Sequence, residues 1–185
     1  IVLSAVEEKV IAVHEAGHAL LAMLVPRATP PEKISIQSDM EGALGYVLRA
    51  ARARPYAMTE VEMRADICVG LGGQTAEKMV FGEVSVGASQ DLQQASTIAR
   101  SMVEYYGMSS LGPRVRLPDE EEGRGLSAER LSKVEQAVEA ILADEASRAK
   151  KTLEEHRSLL DALTKLLLEK KVLDATSLQN LVQSH

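Results

Sequence analysis

Two histidines four residues apart bracket a glutamate in the run His14-Glu15-Ala16-Gly17-His18. On a helix, residues four apart share a face, so both imidazoles can reach one ion. Neutral imidazole is a good zinc ligand, at about 2.0–2.1 Å. Glu15 follows the first imidazole directly. Its carboxylate can take a proton from a water activated at such a site and later return it to a leaving amine. H-E-x-x-H is therefore the pattern of metal-assisted peptide hydrolysis, and two histidines on a helix without a metal are its plain alternative. A catalytic zinc also needs a third protein ligand and one open position. Spacing leaves that ligand open. His156 falls where two expected helices meet, and His185 is the last residue. Glu32 and Glu41 lie in strand-like or turn sequence, and Leu21 and Leu24 stand where a third histidine just downstream would be sought.

These residues must be held by a framework, and the sequence predicts a mainly helical one. Residues 4–25 read as a helix, opened by the capping box Ser4/Glu7 and closed by Pro26. Val6, Val10, Val13, Gly17, Leu20, Leu21 and Leu24 recur at three to four residues and predict one buried face. Residues 33–37 and 44–48 alternate like short strands, with turn-like residues 39–42 between them, which predicts a small antiparallel element in the N-terminal third. Residues 50–57, rich in arginine, read as an exposed loop. A second capping box, Thr59/Glu62, opens a helix expected from 60 to about 80. Gly70, Gly72 and Gly73 inside it each cost about 1 kcal/mol relative to alanine. Close packing on a neighbouring helix would offset that cost, and a break is the other reading.

Residues 81–88 read as a turn. Ser89 is the expected N-cap of a helix over 90–106 that Gly107 ends. A loop with an acidic run occupies 108–125. Helices follow at 128–155, with Leu131, Val134, Val138, Ile141 and Leu142 inward, then at 157–171 and 177–182. The whole of 1–185 is expected to form a single domain: a metal-binding core over 1–107, a loop over 108–126 and a C-terminal helical part over 127–185.

Composition narrows the function. The 185 residues are 45% apolar and 26% charged, a globular balance. A net charge of −6 argues against nucleic-acid binding by phosphate neutralisation. Cys68 is the single cysteine, so neither an internal disulfide nor a cysteine zinc cluster can form. With one Phe, four Tyr and no Trp, the core must be aliphatic. No apolar run approaches the roughly 20 residues needed to span a bilayer. The chain starts at Ile1 rather than Met, which leads us to expect a soluble piece of a larger or processed protein.

Beyond the zinc motif, ordered blocks stand out: residues 70–77 (Gly-Leu-Gly-Gly-Gln-Thr-Ala-Glu), 80–83 (Val-Phe-Gly-Glu), 86–92 (Val-Gly-Ala-Ser-Gln-Asp-Leu), and 106–109 with 111–113. Together with residues 14–20 they strongly resemble the peptidase domain of the FtsH family of membrane-anchored AAA+ zinc proteases, from about residue 4 to 183. The resemblance implies one zinc ion per chain. It also implies that the third ligand is Asp91, which the residues alone would cast as a helix-dipole partner. It implies Glu15 as general base and acid. The family's usual Arg after the paired glycines is Gln74 here, and the loop after Gly112-Pro113 is short.

On this resemblance the chain is expected to be a zinc endopeptidase cleaving unfolded or membrane proteins, working within a homo-hexamer. The family's ATPase module is not in this chain, because no phosphate loop G-x-x-x-x-G-K-[ST] occurs. ATP and the membrane would enter only through a parent protein. That parent is expected at a bacterial inner membrane with this domain in the cytoplasm, or alternatively at a mitochondrial or chloroplast membrane. The rival function is a non-catalytic zinc-binding oligomerisation domain, against which the intact Glu15 argues. Residues 33–37 or 44–48 are expected to offer a backbone edge to an extended substrate, or else to be a hairpin that only packs on the zinc helix.

Overall fold

A computed structural model describes residues 2–38, 42–116 and 127–185. The expected turn at 39–42, all but its last residue, and the acidic run of the long loop fall outside the described residues, as does Glu41.

The first helix, α1 (Ala5–Leu24), begins as its capping box predicts. The Ser4 hydroxyl accepts from the Glu7 amide, and the Glu7 carboxylate accepts from the Ser4 amide at 2.8 Å. Such a cap is worth about 1 kcal/mol. The expected single buried face is too narrow. Every residue from Ala12 to Ala22 is buried, so α1 runs through the middle of the molecule, while Val6 near its start is 73% exposed. A helix enclosed on all sides loses the polar face that sets a clean period.

Three strands form one antiparallel sheet in the order β2-β1-β3. They are β1 (Pro31–Ser35), β2 (Tyr46–Arg49) and β3 (Val172–Asp174). Ile34 lies opposite Val47 on one side and Leu173 on the other. The expected hairpin pair is present, and the third strand comes from the far end of the chain. Residues 33–37 therefore cannot be a substrate edge, because β1 is paired on both flanks. The outer strands of the described sheet are β2 and β3, and β2 holds part of the other candidate segment, 44–48. The arginine-rich stretch after it is more tied down than expected. Pro55–Ala57 make a short 3-10 turn, and Arg52 donates to the Arg27 carbonyl at 2.9 Å, the Glu62 carbonyl at 3.1 Å and Asp66 at 2.6 Å.

The helix expected from 60 to 80 is two, α2 (Glu60–Gly70) and α3 (Gly72–Phe81), parted at Leu71. Both of the anticipated effects of the glycines occur, the break and the close approach. A Cβ on Gly17 would lie 2.3 Å from the Gly72 carbonyl oxygen, so α1 and α3 touch backbone to backbone. Helix α4 (Ser89–Glu104) starts after a 3-10 turn at Val86–Ala88, with Ala88 rather than Ser89 in the cap position. Three further helices follow among the described residues: α5 (Ala128–Glu155), α6 (Arg157–Lys170) and α7 (Ala175–Gln183). Val134, Val138 and Ile141 of α5 point inward as expected, whereas Leu131 is 45% exposed.

The core has two parts. Leu20 and Leu21 of α1 meet Leu160, Leu163 and Leu167 of α6 and Ile34 of the sheet. Ile67 of α2, Met102 and Val103 of α4, and Val138 and Ile141 of α5 form the other. Each such side chain contributes about 1.5–3 kcal/mol through burial. Between them they hold α1, α2 and α4 around one cleft. Among the described residues, no helix is long and apolar enough to cross a membrane.

Candidate metal centre

One turn of α1 places His14 and His18 side by side, with ring centroids 4.6 Å apart and planes at 76°. Asp91, 73 residues beyond His18, comes to them from the first turn of α4. Its Oδ2 lies 3.0 Å from His14 Nε2 and 3.1 Å from His18 Nε2, and the two Nε2 atoms are 3.0 Å apart. Four ligands arranged tetrahedrally at about 2.0–2.1 Å from zinc would stand about 3.3 Å from one another. The observed triangle is close to that size.

The far side of each ring settles which nitrogen faces the triangle. His18 Nδ1 donates to the Val69 carbonyl at 2.7 Å, and a carbonyl can only accept. His14 Nδ1 donates to Glu77 Oε2 at 2.8 Å. The other oxygen of Glu77 accepts from the Ser85 amide at 3.2 Å, so the carboxylate is itself held in place. In the neutral rings both Nε2 atoms then present lone pairs to each other and to a carboxylate oxygen. Three electron-rich atoms so close repel unless a cation lies among them. The donor set, two imidazoles and one carboxylate, suits zinc, and the carboxylate–imidazole pair behind His14 is the usual support for a metal-binding histidine.

A proton competes for the same place. Burial opposes charge on His14, but hydrogen bonds to the Asp91 and Glu77 carboxylates outweigh it, and its pKa is pushed up to about 9. Burial would also raise the Asp91 pKa, yet the two imidazoles prevail and hold that carboxyl well below the usual range. Glu15 behaves differently. It is 8% exposed, and burial lifts its pKa against the pull of His18 and His14, with Asp91 adding to the rise. A carboxyl raised above its ordinary range holds a proton more readily than a free one, which suits a group that must take up and return a proton.

The cluster lines a cleft of about 510 Å³. Glu15 sits in it beside β2, where a Cβ on Gly45 would meet Glu15 Cγ at 3.1 Å and Oε1 at 3.2 Å. The β2 edge forms one wall, and Gln90, Gln94 and Ile98 of α4 face it.

The other sequence candidates lie elsewhere. His156 Nδ1 bonds to the Thr152 carbonyl at the α5–α6 junction, His185 is exposed at the end of the chain, and Glu32 is exposed on β1. Cys68 is buried and its thiol is pushed up to about 11, chiefly by that burial, so it remains a core side chain. Among the described residues, His14, His18 and Asp91 form the group of three whose potential ligand atoms all lie within 4.8 Å of one another.

Two contributors had no role at the metal centre in the sequence reading. Glu77 was part of a recognised block only, although its spacing of four from Gly73 places both on one face of α3. Gly73 turns out to be pressed against the rings: a Cβ there would lie 2.4 Å from His14 Cε1 and 2.6 Å from His18 Nε2. No local pattern announces that contact, since it forms between two helices.

Comparison with known proteins agrees with this chemistry. The pattern of peptidase family M41 matches residues 1–181. The chain is 39% identical over 188 residues to an ATP-dependent zinc metalloprotease FtsH of Syntrophobacter fumaroxidans, covering 96% of this chain and 29% of the relative. It is 38% identical over 186 residues to the protein of the same name in Chlorobium luteolum, covering 95% and 26%. For the Thermotoga maritima protein the figures are 36% over 186 residues, covering 95% and 30%. The chain thus spans less than a third of the length of these curated relatives.

Proposed function

The chain belongs to peptidase family M41, and from that premise we propose that it is the proteolytic domain of a zinc-dependent endopeptidase. His14, His18 and Asp91 are assigned as the metal ligands and Glu15 as the general base and acid. The observation that carries this reading is the convergence of Asp91 Oδ2 on both Nε2 atoms, at 3.0 and 3.1 Å, in a cleft that Glu15 also lines.

Zinc, when bound, polarises the scissile carbonyl and lowers the pKa of water towards about 7. The chain's residues do the rest. Glu77 and the Val69 carbonyl hold the two imidazoles with Nε2 forward. Glu15 takes the proton of the attacking water and delivers it to the leaving amine nitrogen. An extended substrate lies against the open edge of β2, where backbone hydrogen bonds hold it with little regard to sequence. That mode of binding suits unfolded and membrane proteins as substrates.

The relatives are named ATP-dependent, and each is much longer than this chain. We therefore place the 1–185 domain in a parent that supplies an ATPase module and a membrane anchor. The reading includes a homo-hexamer, and a bacterial inner membrane with this domain on the cytoplasmic side.

The test is Glu15→Gln in the zinc-loaded protein. Unchanged zinc content with peptide cleavage reduced at least about 100-fold is expected, because general acid–base catalysis contributes 10²–10⁴-fold. Full cleavage by that variant would remove Glu15 from the chemistry, and loss of zinc would make it a ligand instead.

A further inference from the structure

The cleft that holds the metal centre also has a basic side chain in its wall. Arg49, the last residue of β2, and Asp66 of α2 both line it. Arg49 Nη2 donates to Asp66 Oδ1 at 2.7 Å, and Arg52 donates to the same oxygen at 2.6 Å. Two guanidinium groups thus share one carboxylate. The next carboxylate outward, Glu62, is occupied by Arg27 at 3.0 Å. Three arginines face two carboxylates, which leaves one positive charge in excess. Arg49 brings that excess into the cleft, because its side chain is 22% exposed and part of its donor fork is not spent on Asp66. Glu15 and Asp91, which line the same cleft, are acidic. The cleft therefore holds a basic side chain as well as an acidic cluster.

We propose that Arg49 is a specificity-determining residue that favours peptides carrying an acidic side chain three or four positions from the scissile bond. The inference rests on the protease reading and goes beyond it by giving the cleft a charge preference. The distance follows from strand geometry. Gly45, just before β2, lies beside Glu15, and Arg49 is four residues further on, at the end of that strand. At about 3.3 Å per residue this is about 13 Å, the reach of four residues of an extended peptide running alongside. Guanidinium and carboxylate pair in a planar, two-pronged geometry, so an Asp or Glu at that place gains a charge-assisted contact that Asn or Gln does not. The peptide's carboxylate balances the surplus charge without breaking the Asp66 pairs.

The experiment uses the full zinc-loaded protein and a set of neutral twelve-residue peptides in which one Asp is moved along the chain. The expected result is a kcat/KM about 3- to 10-fold higher when Asp stands three or four positions from the cleaved bond on one side, shrinking as salt rises to about 0.5 M. Arg49→Gln should abolish that preference, bringing acidic and neutral peptides to the same kcat/KM. Arg49→Glu should reverse it towards Lys. The same peptides are also titrated by fluorescence anisotropy against the zinc-loaded Glu15→Gln protein, which reads Arg49 without turnover. If the parent peptide is never cleaved, the protease reading fails, and the binding series still decides on Arg49. Equal binding and cleavage of acidic and neutral peptides, or a preference that survives Arg49→Gln, would overturn the proposal.

Discussion

Replacing Gly73 with alanine adds one methyl group and should disable the metal centre. Its Cβ would lie 2.4 Å from His14 Cε1, 2.5 Å from His14 Nε2 and 2.6 Å from His18 Nε2, whereas ordinary contact begins at 3.4 Å. The rings or the helix must therefore give way by about 1 Å. Metal–ligand distances tolerate only about ±0.2 Å, so rings displaced that far no longer hold zinc in its usual geometry. Helix α3 cannot simply retreat, because it touches α1 at Gly17 and Gly72 and carries Glu77, bonded to His14 at 2.8 Å. Overpacking of this kind costs about 1–3 kcal/mol, less if the imidazoles swing into the cleft. We expect zinc affinity to fall at least about 100-fold, the upper end of what disturbing the surroundings of a metal ligand costs. Competition with a chromophoric zinc chelator measures this, and circular dichroism of the metal-free protein shows whether the helices survive. A variant that keeps its helices and binds zinc within about threefold of the parent would refute the tight packing of α3 on the rings.

The remaining predictions concern the same centre from other sides. Glu77→Gln keeps the shape of the side chain but removes the charge behind His14, and should weaken zinc about 10- to 100-fold in the same competition assay; unchanged affinity would mean that Glu77 serves packing alone. With His14 pushed up to about 9, the metal-free site holds a proton there through the neutral range, and zinc must expel it. Apparent zinc affinity should therefore rise roughly tenfold per pH unit up to about pH 9. Asp91, held well below the usual range, is already ionised and adds nothing to that slope. A flat profile between pH 6 and 8 would show that His14 is not protonated in competition with the metal.

Local chemistry was the most legible part of this protein. Both capping boxes formed as read, Ser4 with Glu7 and Thr59 with Glu62, because each needs only four residues and their backbone. The facing pair His14 and His18 follows from helix geometry alone. Features that depend on distant chain were harder. Strand β3 has three residues and exists because Leu173 finds Ile34, a partner far away in the sequence. Helices α2 and α3 are parted at Leu71 within the glycine block, a break that the sequence offered only as one of two readings, and the seating of Gly72 and Gly73 on α1 depends on distant chain. Asp91 presents as an ordinary acidic residue in a first helical turn. Only its family resemblance singled it out, since the fold alone brings it to the histidines. The periodicity of α1 misled for a related reason: a helix buried on every side no longer advertises which face matters.

The most direct test of the central claim is the metal content of the purified protein beside its Asp91→Ala variant, by elemental analysis after zinc loading and removal of excess. The account predicts about one zinc per chain in the parent, and little or none in the variant, because two imidazoles alone make a weak site. Full zinc retention by the Asp91→Ala protein would contradict it, and so would a parent that takes up no zinc at all.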